Sequence, residues 1–191
     1  MARPTALVLT PRMPWPLDDG GRVVLWQSLW GASTTHDVSL IAFVPPGTES
    51  DPVPDPVREA ARCGVVRVPF RPPSPPVAAV RGLLGRWPYT LARYQDAAFA
   101  AAVRERVRLD APAYALVNHL HLAPYADALN QVPMVLRAHN VEHRWMDRYA
   151  AGLRSGPKRA YARYQAVRLR EAERALVARA VLTLAIQEGE A

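Results

Sequence analysis

The chain has 191 residues, of which 50% are hydrophobic and 21% charged, so it can bury a core and is not a wholly disordered protein. No run of about eighteen apolar residues is present, so the sequence offers no membrane-spanning helix. An apolar stretch of about six residues near the start is too short for a secretory signal. Cys63 is the only cysteine, so no internal disulfide can form and a reducing, cytoplasmic location is expected.

The net charge of +7 includes 24 basic residues, and all of them except Lys158 are arginines. Together with frequent alanines and 19 prolines, this usage is typical of a GC-rich genome. A cationic surface attracts phosphates, nucleic acid or anionic lipid headgroups, and composition does not choose among them. No aromatic platform is interleaved with the basic residues, so nucleic acid is not an expected partner.

Three apolar, β-branched runs in the first half of the chain have the length and composition of strands buried on both faces. They cover Ala6–Thr10, Val38–Phe43 and Val65–Val68. Between the first two runs, Arg22–Trp30 has helical periodicity, and Gly31 follows where a helix would end. A strand, a helix and a strand in about forty residues predict the βαβ unit of a parallel sheet.

The second half of the chain continues this alternation. In chain order, the predicted elements are a helix over Leu91–Arg108, a strand over Tyr114–Asn118, a short helix over Pro124–Asn130, a strand over Met134–Ala138, a helix over Lys158–Ala178 and a strand over Val181–Ile186. The proline-rich residues 45–56 and 69–76 are expected to be surface connections. Six strands alternating with helices predict a Rossmann-like, doubly wound α/β domain with parallel strands in the order 3-2-1-4-5-6.

Two glycines follow the first predicted strand, in the sequence Asp18-Asp19-Gly20-Gly21-Arg22. At a helix N-terminus they allow a phosphate or a sugar to approach backbone N–H groups closely, in the favourable field of the helix dipole. The GxGxxG fingerprint of dinucleotide binding is absent. The same residues also suit a tight turn in which Asp19 caps the helix, and the sequence leaves both interpretations open.

Four of the five histidines follow two neighbouring predicted strands, in Asn118-His119-Leu120-His121 and His139-Asn140-Val141-Glu142-His143. Alternate residues of an extended segment point the same way, so both imidazoles of the first motif can face one cleft. Polar contacts in a sugar- or phosphate-binding cleft are the favoured interpretation. Histidines without a ligand role, and a hydrolytic zinc site with Glu142 as its nearby carboxylate, are the alternatives. No GxSxG elbow supports Ser-His-Asp catalysis.

The helix over residues 157–179 carries a narrow apolar stripe with arginines on both sides. The stripe consists of Ala162, Ala166, Leu169, Ala172 and Leu176. A basic amphipathic helix can lie on an anionic membrane. Small residues that pack on the sheet while arginines reach into water explain the same pattern. This second interpretation is favoured, because Glu171 and Glu173 interrupt the cationic face.

These segments together resemble the N-terminal domain of family-four glycosyltransferases of the GT-B architecture. The resemblance rests on Leu9–Arg22, His36–Leu40, His119–His121, Leu136–Glu142 and Ala180–Glu188, and it runs across nearly the whole chain. The proline-rich approach to Asp-Asp-Gly-Gly-Arg and the later His-Asn-Val-Glu are the most specific parts of the match when taken jointly.

The resemblance implies an enzyme with two Rossmann-like domains, of which the N-terminal one binds the acceptor and the C-terminal one the nucleotide-sugar. Such enzymes transfer the sugar with retention of configuration, usually without a bound metal. No metal and no cofactor besides the nucleotide-sugar co-substrate is therefore expected. His139 would be the catalytic residue, near the transferred sugar, where a hydrogen bond steadies developing charge. The implied substrate-binding residues are Asp19, Gly20, Gly21, Arg22, His119, His121, Asn140 and Glu142.

Two departures from the family pattern bear on activity. Ile186-Gln187-Glu188 stands where the family commonly has Val-Ser-Glu, and residues 1–191 contain no C-terminal domain with its Glu-x7-Glu signature. We therefore expect the acceptor-binding domain of a hexosyltransferase-type enzyme that is inactive alone.

The expected partner is a sugar-containing or lipid-linked acceptor in cell-surface polysaccharide, glycolipid or glycosylated-metabolite synthesis. The expected location is the cytoplasm, with peripheral contact to anionic lipid at the inner face of the membrane. The alternative functions are a metal-dependent hydrolase that uses the clustered histidines, and a stand-alone membrane-surface or binding module.

Overall fold

A computed structural model describes residues 3–138 and 140–185 of the chain. The strands are β1 (Thr5–Thr10), β2 (Asp37–Val44), β3 (Gly64–Pro69), β4 (Tyr114–Asn118), β5 (Met134–Ala138) and β6 (Leu182–Ala185). The α-helices are α1 (Gly20–Thr35), α2 (Asp55–Ala60), α3 (Pro75–Leu84), α4 (Tyr89–Ala92), α5 (Ala97–Asp110), α6 (Glu142–Gly152) and α7 (Gly156–Arg179). A 3₁₀ helix over Leu120–Leu129 follows β4.

The strands form one sheet in the order β3-β2-β1-β4-β5-β6, and every neighbouring pair is parallel. This confirms the predicted strand order and the doubly wound, Rossmann-like α/β fold. Leu9 of β1 pairs with Val117 of β4, and Asn118 pairs with Arg137 of β5. The segments that follow β1, β4 and β5 therefore leave the sheet at one edge, which is the edge where such folds bind ligands.

Each face of the sheet has its own core, because successive side chains of a strand point to opposite faces. On one face, Leu9 and Phe43 pack with Phe99 of α5. On the other face, Val8 packs with Leu29 of α1. Both faces of the central strands are thus covered, which explains why the sequence of these strands is continuously apolar.

The apolar stripe of α7 is buried in the core, as the packing interpretation predicted. Several arginines of this helix bind other parts of the protein. Arg168 donates hydrogen bonds to the carbonyl oxygens of Gly85 and Arg86, and Arg179 pairs with Asp127 at 2.7 Å. α7 therefore serves as a packing helix whose cations tie neighbouring segments together. Within the described ranges, no helix combines the length and the apolar character that crossing a bilayer requires.

The single helix predicted over Leu91–Arg108 is wrong, because the structure divides this stretch into α4 and α5. α5 begins at Ala97, where the Asp96 carboxylate accepts a hydrogen bond of 2.9 Å from the Phe99 N–H and so caps the helix. The sequence pattern also predicted no helix where α2, α3 and α6 lie. α2 and α3 have proline in their first turn, where its missing N–H costs nothing, so proline marks a helix start at these points.

Candidate functional site

A polar cavity of about 320 Å³ lies where the segments after β1, β4 and β5 meet. Its lining residues are Pro11, Arg12, Gly21, Leu25, Tyr94, His119, His121 and Asn140. Four of them belong to the substrate-binding set that the sequence suggested, namely Gly21, His119, His121 and Asn140. The parallel topology therefore brings together residues that are far apart in the chain, and their binding role stays a prediction.

The turn before α1 is held by a helix cap and an ion pair. The Asp19 carboxylate accepts a hydrogen bond of 2.9 Å from the Arg22 N–H and two more, of 2.9 and 2.6 Å, from the Arg12 guanidinium. The Arg22 N–H, followed by the Arg12 guanidinium, lowers the pKa of Asp19. A Cβ at Gly21 would overlap Nη2 of Arg12, whereas a Cβ at Gly20 would meet open space. A side chain at position 21 would therefore displace the end of Arg12 from its position beside Asp19.

The other predicted residues of this turn are separate from the polar cavity. Arg22 donates hydrogen bonds of 2.7 and 2.6 Å to the Asp18 carboxylate and lines a different, smaller pocket. Asp19 binds Arg12, and Arg12 lines the cavity. Gly20 is not among the residues that line the cavity in the described part of the chain. Of the predicted residues in this turn, Gly21 therefore lines the polar cavity, whereas Asp19 holds Arg12 in place beside it.

His119 directly follows β4 and has a φ of 90°, which L-residues rarely adopt and which costs free energy. This turn allows its Nδ1 to accept a hydrogen bond of 3.4 Å from the His121 N–H. Its Nε2 lies 3.6 Å from a carboxylate oxygen of Glu142. Because Nδ1 accepts, Nε2 carries the proton in the neutral ring and faces the carboxylate. Backbone strain of this kind concentrates at functional sites.

Three rings stack along one side of the cavity. The His119 and His121 rings have centroids 4.0 Å apart and planes 14° apart, and the corresponding values for His121 and Tyr94 are 4.5 Å and 4°. The Tyr125 hydroxyl donates to the backbone carbonyl of Tyr94 and anchors that segment. Burial raises the pKa of Tyr94. Sequence reasoning missed Tyr94, because only the tertiary stack on His121 gives it a place in the site.

Glu142 is a largely buried carboxyl group at the start of α6. Burial first, and then the charge of Glu173, raise the pKa of Glu142, while a hydrogen bond from the Asn140 side chain lowers it. Glu173 of α7 accepts a hydrogen bond of 2.6 Å from the Glu142 N–H and also contacts the His143 ring. Glu173 thus provides a hydrogen-bond acceptor for a backbone N–H group at the N-terminus of α6, which has no partner within the helix. The result is a carboxyl group with a raised pKa that lies 3.6 Å from the Nε2 atom of His119.

His119, His121 and Glu142 each place one ligand atom within 4.8 Å of the others, as a metal site would require. The near-parallel stack, however, directs the lone pairs of the two imidazoles alongside each other and not toward one point. The Nδ1 of His119 is already a hydrogen-bond acceptor, and the His143 ring contacts Glu173. Chelation by this trio therefore requires one imidazole to leave the stack.

His139, the expected catalytic residue, lies outside the described residues. So does Ile186-Gln187-Glu188, the segment that departs from the family pattern. The role of His139 stays a prediction that follows from the family resemblance. Its neighbour in the sequence, Asn140, lines the polar cavity.

No protein-family model matches the chain, and no curated protein matches it. Among solved structures, it is similar to Medicago truncatula UGT71G1 complexed with UDP-glucose, with 13% identity and a TM-score of 0.45, over 78% of this chain and 32% of that chain. It is also similar to Glycyrrhiza uralensis UGT73P12 complexed with glycyrrhetinic acid 3-O-monoglucuronide. Here the identity is 16% and the TM-score is 0.41, over 81% of this chain and 33% of that chain. A third similar structure is Phytolacca americana UGT2 complexed with UDP-2fluoro-glucose and pterostilbene. Its identity is 13% and its TM-score is 0.41, over 79% of this chain and 34% of that chain.

The chain thus spans about a third of the length of these three solved proteins. The similarities are weak in both sequence identity and TM-score. The fold assignment therefore rests on the strand order and the parallel pairing of the chain itself.

Proposed function

We propose that the chain is the acceptor-binding half of a retaining glycosyltransferase that takes a hexosyl group from a nucleotide-sugar. The observation that carries this proposal is the polar cavity, where segments after three parallel strands bring two imidazoles, an amide and a guanidinium together. Doubly wound sheets bind ligands at this edge. These groups donate and accept the hydrogen bonds that sugar hydroxyls and phosphates form. The resemblance of the sequence to family-four glycosyltransferases supports the same function.

The proposed roles follow from the chemistry of each group. His119, His121 and Asn140 bind hydroxyl groups of the acceptor, and Glu142 positions His119. Gly21 lets Arg12 face the cavity, where the guanidinium attracts an anionic group. His139, which directly precedes Asn140 in the sequence, is proposed to donate a hydrogen bond to the transferred sugar as charge develops.

A second domain that binds the donor is proposed to complete the cleft. Orientation of two substrates supplies much of the rate of a transfer reaction, and this requires groups on both sides of the cleft. Residues 1–191 alone are therefore expected to transfer no sugar and to bind nucleotide-sugars weakly. Titration calorimetry with UDP-glucose checks the second expectation, and micromolar affinity would contradict the assignment of donor binding to another domain.

The experiment that tests the proposed function uses the product of the complete open reading frame. Purified protein is incubated with a panel of nucleotide-sugars and with lipid and polysaccharide extracts, and release of the nucleotide is measured. We expect release that depends on both an extract and one particular nucleotide-sugar. No dependence on any nucleotide-sugar would contradict the proposal.

Peripheral contact with an anionic membrane is part of the proposal for a lipid-linked acceptor. Val80, Leu83 and Leu84 of α3 are exposed, and Arg81 lies among them. Apolar residues beside a cation suit a helix that lies on a bilayer surface. Cosedimentation with vesicles containing phosphatidylglycerol tests this: Leu84→Asp should lower binding, while the same change at exposed Leu109 of α5 should not. Equal binding by the Leu84 variant and the unmodified chain would contradict the contact.

A metal-dependent hydrolase is the second candidate, and the proximity of His119, His121 and Glu142 is the observation that favours it. Metal analysis of the purified chain after dialysis separates the two functions. Stoichiometric zinc that is lost in the His119→Ala and His121→Ala variants would support the hydrolase. Absence of zinc after incubation with zinc chloride and dialysis would support the glycosyltransferase.

A further inference from the structure

A second cavity, of about 690 Å³, lies between α4, α6 and α7. Its walls are mainly apolar and aromatic. Trp145 and Tyr149 of α6 stack with ring centroids 5.7 Å apart and planes 2° apart, and each is 52% exposed. Met146 of the same helix and Leu153, which directly follows it, extend this surface. We call it the aromatic cavity. Its size and lining suit an apolar body at least as large as a pair of fused rings.

The charged residues that line the aromatic cavity are cationic. Arg93 and Lys158 line it, and none of the lining residues of the described chain is acidic. Arg93 follows α4 and is half-buried, and its Nε is buried without a hydrogen-bond partner in the described part of the protein. A half-buried guanidinium at the wall of an apolar cavity attracts an anionic ligand group, because few other groups there compensate its charge.

Two polar side chains of the aromatic cavity are held by hydrogen bonds to the backbone. Gln165 of α7 is only 1% exposed, but its Oε1 accepts a hydrogen bond of 2.7 Å from the Tyr89 N–H and its Nε2 donates one of 3.0 Å to the Gly82 carbonyl. The Tyr161 hydroxyl donates to the Ala79 carbonyl at 3.1 Å. These bonds fix the walls. Arg93 and Lys158 are then the charged groups with which the aromatic cavity can bind a ligand.

Two consecutive residues line the two cavities. Arg93 lines the aromatic cavity, and Tyr94 lines the polar cavity and stacks on His121. One short segment of the chain therefore contributes to both cavities.

We propose that the aromatic cavity binds an apolar molecule that carries one anionic group, with the anionic group at Arg93 and the apolar body against Trp145 and Tyr149. Its role as the apolar part of the acceptor rests on the proposed function, but the binding itself does not. An aromatic acid and a long-chain alkyl phosphate share this chemistry, and competition between the two distinguishes the sources.

Fluorescence titration with two probes of the same shape tests the proposal on the 191-residue chain. 8-Anilinonaphthalene-1-sulfonate has the required anionic group, and N-phenyl-1-naphthylamine has the same rings without it. We expect the sulfonate to bind more tightly, and we expect Arg93→Met to weaken it about tenfold while leaving the neutral probe unchanged. Trp145→Ala should weaken both probes.

Matched variants control for adsorption to the surface. Trp30 of α1 is also 52% exposed, so Trp30→Ala removes an equally accessible indole from another helix. Arg104→Met removes the same charge from an exposed position of α5. Neither variant should change the affinity of either probe. Arg93→Lys keeps the charge and should retain part of the sulfonate preference, which guards against a folding defect in Arg93→Met.

Three results would overturn the proposal: equal binding of the two probes, unchanged sulfonate binding in both Arg93 variants, or equal loss in Trp30→Ala and Trp145→Ala. Displacement of the bound sulfonate by 2-naphthoate or by decyl phosphate supports it, and the stronger competitor identifies the source. Displacement by neither contradicts it. If the probes behave as expected but the full-length protein transfers no sugar, the cavity stands and the proposed function fails.

Discussion

The guanidinium of Arg12 and the carboxylate of Asp19 form a two-point hydrogen-bonded ion pair that joins the end of β1 to the cap of α1. Arg12 also lines the polar cavity, so the cap of the helix and the charge of the site depend on each other. The pair is partly exposed, which limits its contribution to the free energy of unfolding. Its main effect is to hold a cation at the candidate site.

Gly21→Ala should displace Arg12, because the new Cβ overlaps its Nη2 atom. Gly20→Ala is the matched control, since a Cβ there meets open space. Alanine restricts the unfolded chain, so Gly20→Ala should raise the free energy of unfolding by up to about 1 kcal/mol. Gly21→Ala should gain less, because it also weakens the Arg12–Asp19 pair. Urea unfolding of both variants measures the difference, and an identical gain in the two would contradict the proposed position of Arg12.

Glu142→Gln should change the pH dependence of stability. Burial raises the pKa of Glu142 in the folded chain above its ordinary value of 4.5. Below pH 4.5 both states hold the proton, whereas above the raised pKa the folded chain carries a buried charge that the unfolded chain leaves in water. The ionised carboxylate therefore destabilises the folded chain as pH rises. Glu142→Gln should be more stable than the unmodified chain at pH 7, and the gain should shrink toward pH 4.5.

Glu105→Gln is a control variant in which the expected change in stability at pH 7 has the opposite sign. A side-chain hydrogen bond from Arg108 lowers the pKa of Glu105, so its ionised form stabilises the folded chain above pH 4.5 and this stabilisation is lost as pH falls. Glu105→Gln should therefore be slightly less stable than the unmodified chain at pH 7. Urea unfolding at pH 4.5 and pH 7 measures both variants. A loss of stability at pH 7 in Glu142→Gln would show that the charged form of Glu142 is favoured.

Glu173→Ala should destabilise the chain and disturb the candidate site. The carboxylate accepts from the Glu142 N–H and contacts the His143 ring, so its removal leaves donors at the start of α6 without partners. We expect a loss of about 1–3 kcal/mol in the free energy of unfolding. Glu171→Ala, two residues earlier and exposed, should change it by less than about 0.5 kcal/mol. Similar values for the two variants would contradict the capping role.

The sequence predicted the sheet because its strands are β-branched, apolar runs separated by helical periodicity, and six such runs allow few parallel orders. The histidine motifs at the ends of β4 and β5 could be located for the same reason. Tyr94 could not be found, since its role arises from a stack on His121, which is 27 residues away in the sequence. Glu173 was also missed as a cap, because it lies on α7, 31 residues after the Glu142 N–H to which it binds.

His139→Ala should lower turnover in the full-length enzyme much more than it weakens binding of the acceptor. A hydrogen bond that strengthens only in the transition state acts on the barrier and not on ground-state binding. Steady-state kinetics with varied acceptor separate kcat from KM. Unchanged turnover would contradict the catalytic role that we propose for His139.

Sugar transfer by the full-length protein, compared between His121→Ala and His36→Ala, tests the acceptor site most directly. His121 lines the polar cavity, whereas His36 precedes β2 at the opposite edge of the sheet, where its ring packs on Tyr114. We expect kcat/KM for the acceptor to fall at least about tenfold in His121→Ala and to stay unchanged in His36→Ala. Equal activity of the two variants would contradict the placement of the acceptor in the polar cavity.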